Sequence, residues 1–277
     1  MDRRSYIKAL GASGAALTLA GCTGNGGGDT SSTSSSTTGG TTSSSSGQTA
    51  ITAGTAPGFK PFEMIQDGEL VGFDVDLLEA VVEQADGYTL DGWQQYEFGS
   101  LIQSLSTNKI DVIAAGMTIT DKRKEQIAFT DSYWEANQSI LVRSGSSYQP
   151  GSLDDLAGHK VGAQSGTTGE TLVQNKIDDG TLQESNYNAY PKYPLAISDL
   201  ENGNIDAVVI DTPVAKTFVD SRDVTIATTI DTGENYGFGI RKNESDLESA
   251  LNSGLGSVKD NGTYDDLKVK WFASGDN

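Results

Sequence analysis

The sequence predicts an α/β fold built as two related halves, on three observations. Strand-like and helix-like stretches alternate from Ile51 to Phe272, the order that makes a largely parallel sheet with helices against it. The run from Ile110 to Ala115 is continuously apolar after Asp111, and Ile205 to Ile210 is a second such stretch; strands covered on both faces have this composition. A strand that runs into a glycine turn and then a helix occurs twice, at Gly116-Met117-Thr118-Ile119-Thr120-Asp121-Lys122-Arg123 and at Ser165-Gly166-Thr167-Thr168-Gly169-Glu170.

Taken in order, Ile51 to Thr55 reads as the first strand, and Ala56-Pro57-Gly58-Phe59-Lys60-Pro61-Phe62 as a stiff loop leaving it. Gly72-Phe73-Asp74 opens a helix with Asp74 as its expected N-cap, and Leu78, Val81, Val82 and Ala85 recur at helical spacing as its buried face. A strand near Tyr88 to Leu90 and a helix over Phe98 to Ser106, with Leu101, Ile102 and Leu105 inward, lead to the strand at Ile110. The pattern restarts after Asp131. Ser139 to Arg143 is a strand, Leu153 to Leu156 a short helix, Lys160 to Gln164 a strand, Leu195 to Leu200 a helix, and Ile205 to Ile210 a strand ending on Asp211-Thr212-Pro213. Pro213 suits the first turn of a helix. Tyr236 to Ile240 reads as a strand, Glu244 to Val258 as a helix packed through Leu247, Leu251 and Leu255, and Tyr264 to Phe272 as a last helix capped by Thr263, with Leu267 and Trp271 inward.

The first 49 residues do not belong to this pattern. Arg3, Arg4 and Lys8 precede a short small-residue and apolar run, Ala9 to Ala20; basic, then apolar, then small is the order of an export signal, and the run is shorter than the ~20 residues of a spanning helix. Residues 1–21 are therefore expected to be a signal segment. Arg3-Arg4-Ser5-Tyr6-Ile7-Lys8 resembles a twin-arginine signal. Leu19-Ala20-Gly21-Cys22 resembles a lipoprotein processing site, which implies cleavage before Cys22 and a lipid on its sulfur; the plainer reading is an idle thiol. Cys22 is the only cysteine, so no intrachain disulfide forms. Residues 22–49 are nearly all Ser, Thr and Gly, too polar to fold. As a flexible tether they set their ends roughly 30 Å apart.

The formal charge is −19; losing residues 1–21 removes three positive charges and one negative, leaving −21. Such a surface repels nucleic acid, and no basic patch is present, so nucleic acid is not an expected partner. Abundant acids with few lysines also resemble proteins adapted to high salt, where screening relieves self-repulsion; an ordinary acidic extracellular protein has the same composition.

The stretch from Gly116 to Arg123 has the chemistry of a carboxylate grip. Glycine admits close backbone approach, a helix N-terminus offers unpaired donors, and Arg123 can make a two-pronged charged contact. The plainer alternative is a surface arginine on a helix.

Several separated motifs together carry a more specific resemblance. In order they are Phe59-x-Pro61-Phe62-Glu63, Gly72-Phe73-Asp74-Val75-Asp76, Gly116 to Arg123, Phe129 to Tyr133, Gly162 to Gly169, Asp206 to Asp211, and Gly262-Thr263-Tyr264 with Lys270-Trp271-Phe272. Over nearly all of 51 to 277 the chain resembles the amino-acid-type extracellular solute-binding proteins of ABC importers. The resemblance implies a two-lobed periplasmic-binding-protein-like fold with the ligand in a cleft between lobes. The chain would cross between them near Tyr133 to Asn137 and near Asp231 to Asn235. Residues 51–133 with 236–277 would form one lobe, and 138–231 the other. Hinge closure is the behaviour of this architecture.

By the same resemblance Arg123 pairs with the ligand α-carboxylate, helped by Thr118 and the Gly166 to Thr168 turn. Asp211 holds the α-ammonium together with Gly116 and Thr118, and Phe59 and Phe98 line the side-chain pocket. Alternatives stand beside each: Asp211 and Thr168 as mere helix caps, Phe59 and Phe98 as ordinary core residues. Relatives that take basic side chains commonly carry an acid at the position of Ala56. With Ile210 also apolar and Gln164 as a hydrogen-bond partner, a neutral or polar L-amino acid is expected, although Glu63 or Glu97 can reach the pocket. The expected partners are an amino acid, an ABC permease and, through Cys22, the outer face of the cell membrane, with the protein itself a monomer. No cofactor or metal site is expected, since no metal-ligand spacing occurs. A dehydratase-like enzyme on the same scaffold or a ligand-sensing domain is the rival reading. The first lacks a nucleophile and base pair, and the second lacks a membrane span or signalling module before Asn277.

Overall fold

The structure, a computed structural model, describes residues 47–273. The signal over 1–21, Cys22 and the 22–49 tether up to residue 46 lie outside the described residues. In chain order the first run contains β1 (Thr49–Thr55), β2 (Met64–Gln66), β3 (Glu69–Val71), α1 (Phe73–Gln84), β4 (Tyr88–Gln95), α2 (Leu101–Ser106), β5 (Val112–Ile113), α3 (Asp121–Lys124) and β6 (Ala128–Phe129). The second contains β7 (Trp134–Arg143), β8 (Val161–Gln164), α4 (Thr168–Asp178), β9 (Tyr187–Tyr190), α5 (Tyr193–Glu201), β10 (Ala207–Asp211), α6 (Thr212–Val219) and β11 (Val224–Tyr236). The chain closes with β12 (Gly239–Ile240), α7 (Ser245–Asp260) and α8 (Thr263–Phe272).

These elements make two mixed five-stranded sheets, one to each lobe, ordered β4-β1-β5-β12-β6 and β11-β7-β10-β8-β9. In the first, β1 is parallel to β4 and β5, while β12 returns antiparallel to β5 and β6. In the second, β8 is parallel to β9 and β10, and β7 is antiparallel to β10 and β11. The two apolar runs are therefore buried strands, each with one parallel and one antiparallel neighbour. β7 and β11 form the link between sheets: Trp134 faces Tyr236 and Glu135 faces Asn235, and their pairing continues outward to Arg143 and Val224. Beside the link an aromatic cluster of Phe62, Phe73, Trp134, Tyr236 and Phe272 packs largely edge to face. The Trp134 and Phe272 rings stack 4.0 Å apart. This arrangement pins the C-terminal helix to the crossing.

The helices bury the faces their spacing predicts. Leu78, Val81, Val82 and Ala85, and Leu247, Leu251 and Leu255, are all buried, and α1 packs on α7 so closely that a Cβ on Gly254 would lie 2.3 Å from the Val81 carbonyl.

Several local expectations are corrected. Strand β1 begins at Thr49, inside the expected tether, because Thr49 and Ala50 pair with Tyr88 and Thr89. Gly72, not Asp74, is the N-cap of α1; at φ +148° its Cβ would overlap the Phe62 carbonyl, and Asp74 lies one position into the helix with its carboxylate turned inward. Thr263 is the first residue of α8, whose N-cap is Gly262. Ile102, Leu267 and Trp271 are only partly buried, at the edge of the core. The hairpin β2–β3, β6, β9, the first five residues of β7 and most of β11 were not anticipated. They are short, or polar enough to read as loop, and hydrogen bonding to a partner strand makes them strands.

Candidate functional site

One enclosed pocket lies between the sheets, lined by Phe59, Glu63, Phe98, Gly116, Thr118, Arg123, Gln164, Thr167, Thr168 and Asp211. All eight residues expected at the binding site are in this lining. Phe59, Phe98, Gly116, Thr118 and Arg123 come from the half that contains β1 and β5, and Gln164, Thr168 and Asp211 from the half that contains β8 and β10. The first group is carried by the loop after β1 and the turns around α2 and α3; the second stands at the C-terminal ends of β8 and β10 and at the helix starts that follow. Topology places ligand sites of α/β sheets at such strand ends.

Arg123 is buried to 9% exposure and is the only cation in the lining. The helix that carries it is one turn long, capped by Thr120, whose hydroxyl oxygen accepts from Arg123 N. The guanidinium itself supplies the positive charge here. Its Nη1 donates to the Thr118 carbonyl at 2.5 Å and its Nη2 to the Gly166 carbonyl of the other lobe at 3.0 Å. The Phe98 ring lies 5.3 Å beneath it. The surface-arginine alternative is thereby excluded. Burial pulls the Arg123 pKa down, and the charges of Asp211 and Glu234 oppose that shift.

Asp211 occupies the N-cap position of α6, yet its side chain makes no capping hydrogen bond. Its Oδ1 instead accepts from the Tyr236 hydroxyl at 2.6 Å. Burial, then the neighbouring Glu234 charge, push its pKa up to about 7, against the lowering effect of the Tyr236 hydrogen bond. Thr168 is not a cap either; Thr167 caps α4, accepting from Glu170 N. That frees the Thr168 hydroxyl to donate across the cleft to Thr118 Oγ1 at 3.0 Å, while the Thr118 hydroxyl donates to Glu234 Oε2 at 2.8 Å. A chain of hydroxyls thus runs from α4 through the pocket to the crossing strand β11. The N–H of Gly166 is already used, donating to Glu170 Oε2 at 2.6 Å.

Gly116 has a physical requirement for glycine. Its φ is +53°, and a Cβ there would lie 2.6 Å from Phe59 Cε1, so the ring rests directly on its backbone. The Gly116 N–H donates to Asp74 Oδ2 at 2.6 Å, as does the Tyr133 hydroxyl at the same distance. Burial raises the Asp74 pKa to about 7 despite these two donors. Phe59 and Phe98 prove to be core and pocket residues together: each belongs to a buried cluster and faces the site.

Glu63 was named in the sequence only as able to reach the pocket, and it does; Glu97 is exposed. Glu63 has 0% exposure, and no protein group donates to either of its carboxyl oxygens. Burial first, then the charges of Asp74 and Asp211, hold its pKa well above the usual glutamate value. Thr167 was expected only as part of the Gly166 to Thr168 turn, and Glu234 only as part of a crossing. Thr167 had a capping signal, three residues before Glu170 at a helix start; Glu234 had no signal for the site, since only the fold brings it to Thr118.

The pocket leaves about 10 Å³ of free space, about one water sphere. The lobes are drawn together on their own polar groups. No group of three or more metal-ligating side chains occurs among the described residues, and no described helix is long and apolar enough to cross a membrane.

Residues 51–274 match the bacterial extracellular solute-binding proteins, family 3. A putative ABC transporter arginine-binding protein of Escherichia coli K12 is 34% identical over 225 residues, covering 79% of this chain and 88% of that protein. An ancestral arginine-binding protein, solved with arginine and with glutamine, is 37% identical, with TM-scores of 0.76 and 0.74 over 82% of this chain and 99% of that one. An ancestral amino acid-binding protein described as a precursor of cyclohexadienyl dehydratase is 32% identical, with a TM-score of 0.72 over 80% of this chain and 95% of its own. With the family's sequence pattern running through both lobes, the chain belongs to the family 3 bacterial extracellular solute-binding proteins.

Proposed function

We propose that the protein captures an L-amino acid between its lobes and delivers it to an ABC permease. One observation carries this reading: a single buried cation, Arg123, and a buried acid, Asp211, come from opposite lobes to one pocket. They match the carboxylate and ammonium that every α-amino acid presents. Thr118 and Thr168 add hydroxyls on either side, Gly116 lets the backbone approach, and Gln164, Phe59 and Phe98 surround the side chain. Ligand first settles on the lobe formed by 51–133 and 236–277. Closure then adds Asp211 and Thr168 from 138–231, with the crossings at Tyr133 to Asn137 and Asp231 to Asn235 as the hinge. A ligand shifts that equilibrium only by its extra affinity for the closed form.

For the side chain, Ala56, Ile210 and the aromatic walls support a neutral or polar ligand with an amide near Gln164. Glu63 favours a second reading, a cationic side chain, because with both acids ionised the lining carries one negative charge more than positive. The named ligands of relatives include arginine, histidine and glutamine. The absence of a nucleophile beside a base in the lining supports binding over catalysis.

The sequence before residue 47 supports export and anchoring through lipidated Cys22, with the Ser/Thr/Gly tether holding the lobes near the permease at high local concentration. Mass spectrometry of the Cys22 peptide tests the lipid, and Cys22→Ser should release the protein from membranes. Thermal unfolding with each of the twenty amino acids in turn tests the binding role. A ligand at a hundred times its dissociation constant stabilises by about 2.7 kcal/mol, a shift that Arg123→Ala should abolish. No shift with any amino acid would refute the proposal.

A further inference from the structure

Glu63 is the one charged side chain of the pocket with no partner in the protein. Its carboxyl group is fully buried in the lining, and neither oxygen receives a hydrogen bond. A carboxyl group so placed is stable as the neutral acid or as a carboxylate facing a cation. The titratable groups around it are Asp74 from α1, Asp211 from β10, Tyr133, and Arg123 across the pocket. Only Arg123 is positive, and its Nη atoms already serve the Thr118 and Gly166 carbonyls. Burial first, and then the two carboxyls beside it, disfavour Glu63 ionisation and raise its pKa.

Resting on the amino-acid reading above, we propose that Glu63 reads the ligand side chain and adjusts to its charge by losing or keeping one proton. As the acid it donates its O–H to the carbonyl oxygen of a neutral amide side chain. Facing an ammonium or guanidinium it gives that proton to solvent and becomes the carboxylate that accepts from the cation. A cationic amino acid thus releases one proton more on binding than a neutral amide does; in both cases the charge of the closed pocket with its ligand is the same. Asp211 must be ionised for either ligand, so its titration cancels in the ratio of the two affinities. That ratio, arginine over glutamine, should rise with pH as Glu63 becomes easier to ionise.

The test is calorimetric titration of the protein with arginine and with glutamine, each in phosphate and in Tris at pH 7, for wild type and Glu63→Gln. In wild type the buffer dependence of the heats should show one more proton released with arginine than with glutamine, the Asp211 part being common to both. In Glu63→Gln that difference between the ligands should vanish. Arginine affinity should fall by roughly thirtyfold or more, the effect of removing one member of a buried charge pair, and glutamine affinity by much less. A wild type that releases no more protons with arginine than with glutamine, or binds glutamine but no arginine, overturns the inference. So does a Glu63→Gln protein with the wild-type affinity ratio. The amino-acid reading fails separately, if wild type binds neither ligand nor any other amino acid.

Discussion

Asp211→Asn should change stability and binding in opposite directions. In the folded protein burial and Glu234 raise the Asp211 pKa from 3.8 to about 7; in the unfolded chain it returns to its ordinary value. Below pH 4 both states hold the proton. As pH rises from 4 to 7 the unfolded chain releases it while the folded protein does not, so stability falls across that window and levels off above it. At about 1.4 kcal/mol per pH unit the loss by pH 8 is roughly 4 kcal/mol at most. Asparagine keeps the shape and still accepts from the Tyr236 hydroxyl, so the variant should match wild type near pH 4 and exceed it at pH 8. Its ligand affinity should nevertheless drop by about 2–5 kcal/mol, because the α-ammonium loses its buried counter-charge. Denaturant unfolding at pH 4, 6 and 8 measures the first effect and calorimetric titration the second. Asp74 titrates alike in both proteins, while Glu63 feels the Asp211 charge, so the difference between variant and wild type reports Asp211 together with its coupling to Glu63. A variant less stable than wild type at pH 8, or one that binds as tightly, would refute the reasoning.

Arg123→Met should weaken every amino acid the protein binds by about 2–5 kcal/mol, read as loss of the ligand-induced thermal shift; selective loss for one ligand would contradict an α-carboxylate role. Gly116→Ala drives a Cβ to within 2.6 Å of the Phe59 ring at a φ of +53°. It should cost about 1–3 kcal/mol in urea unfolding, with partial recovery when Phe59→Leu is added. Thr118→Val removes the hydroxyl that joins Thr168 to Glu234 and should favour the open form, seen as a larger radius of gyration at equal ligand concentration. With a net charge of −19, the melting temperature should climb between about 0.1 M and 1 M KCl, where the screening length falls from about 10 Å to 3 Å.

The local pattern of residues determined much of this protein by itself. Helical spacing marked the buried faces of α1 and α7, and the two apolar runs marked β5 and β10, because burial of a regular element repeats with its own period. The carboxylate grip of Gly116 to Arg123 was legible from its own chemistry, a strand end, a glycine turn and a helix start that carries an arginine. The other expected pocket residues, Phe59, Phe98, Gln164, Thr168 and Asp211, were named through the resemblance.

Only the tertiary structure decided which polar groups lack partners and which carboxyls face one another. Asp74 looked like a helix cap, yet it is a buried acceptor for Gly116 and Tyr133, 42 and 59 residues away. Glu234 reads as a hinge-loop acid, and the crossing of β11 beside β7 brings its carboxylate to Thr118. Glu63 closes the Phe59-x-Pro61-Phe62-Glu63 motif, but nothing local sets its protonation; that comes from burial and then from Asp74 and Asp211, which lie 11 and 148 positions further along the chain. Charge interactions act through space and through the dielectric around them, so the sequence named the groups of the pocket and folding set their protonation.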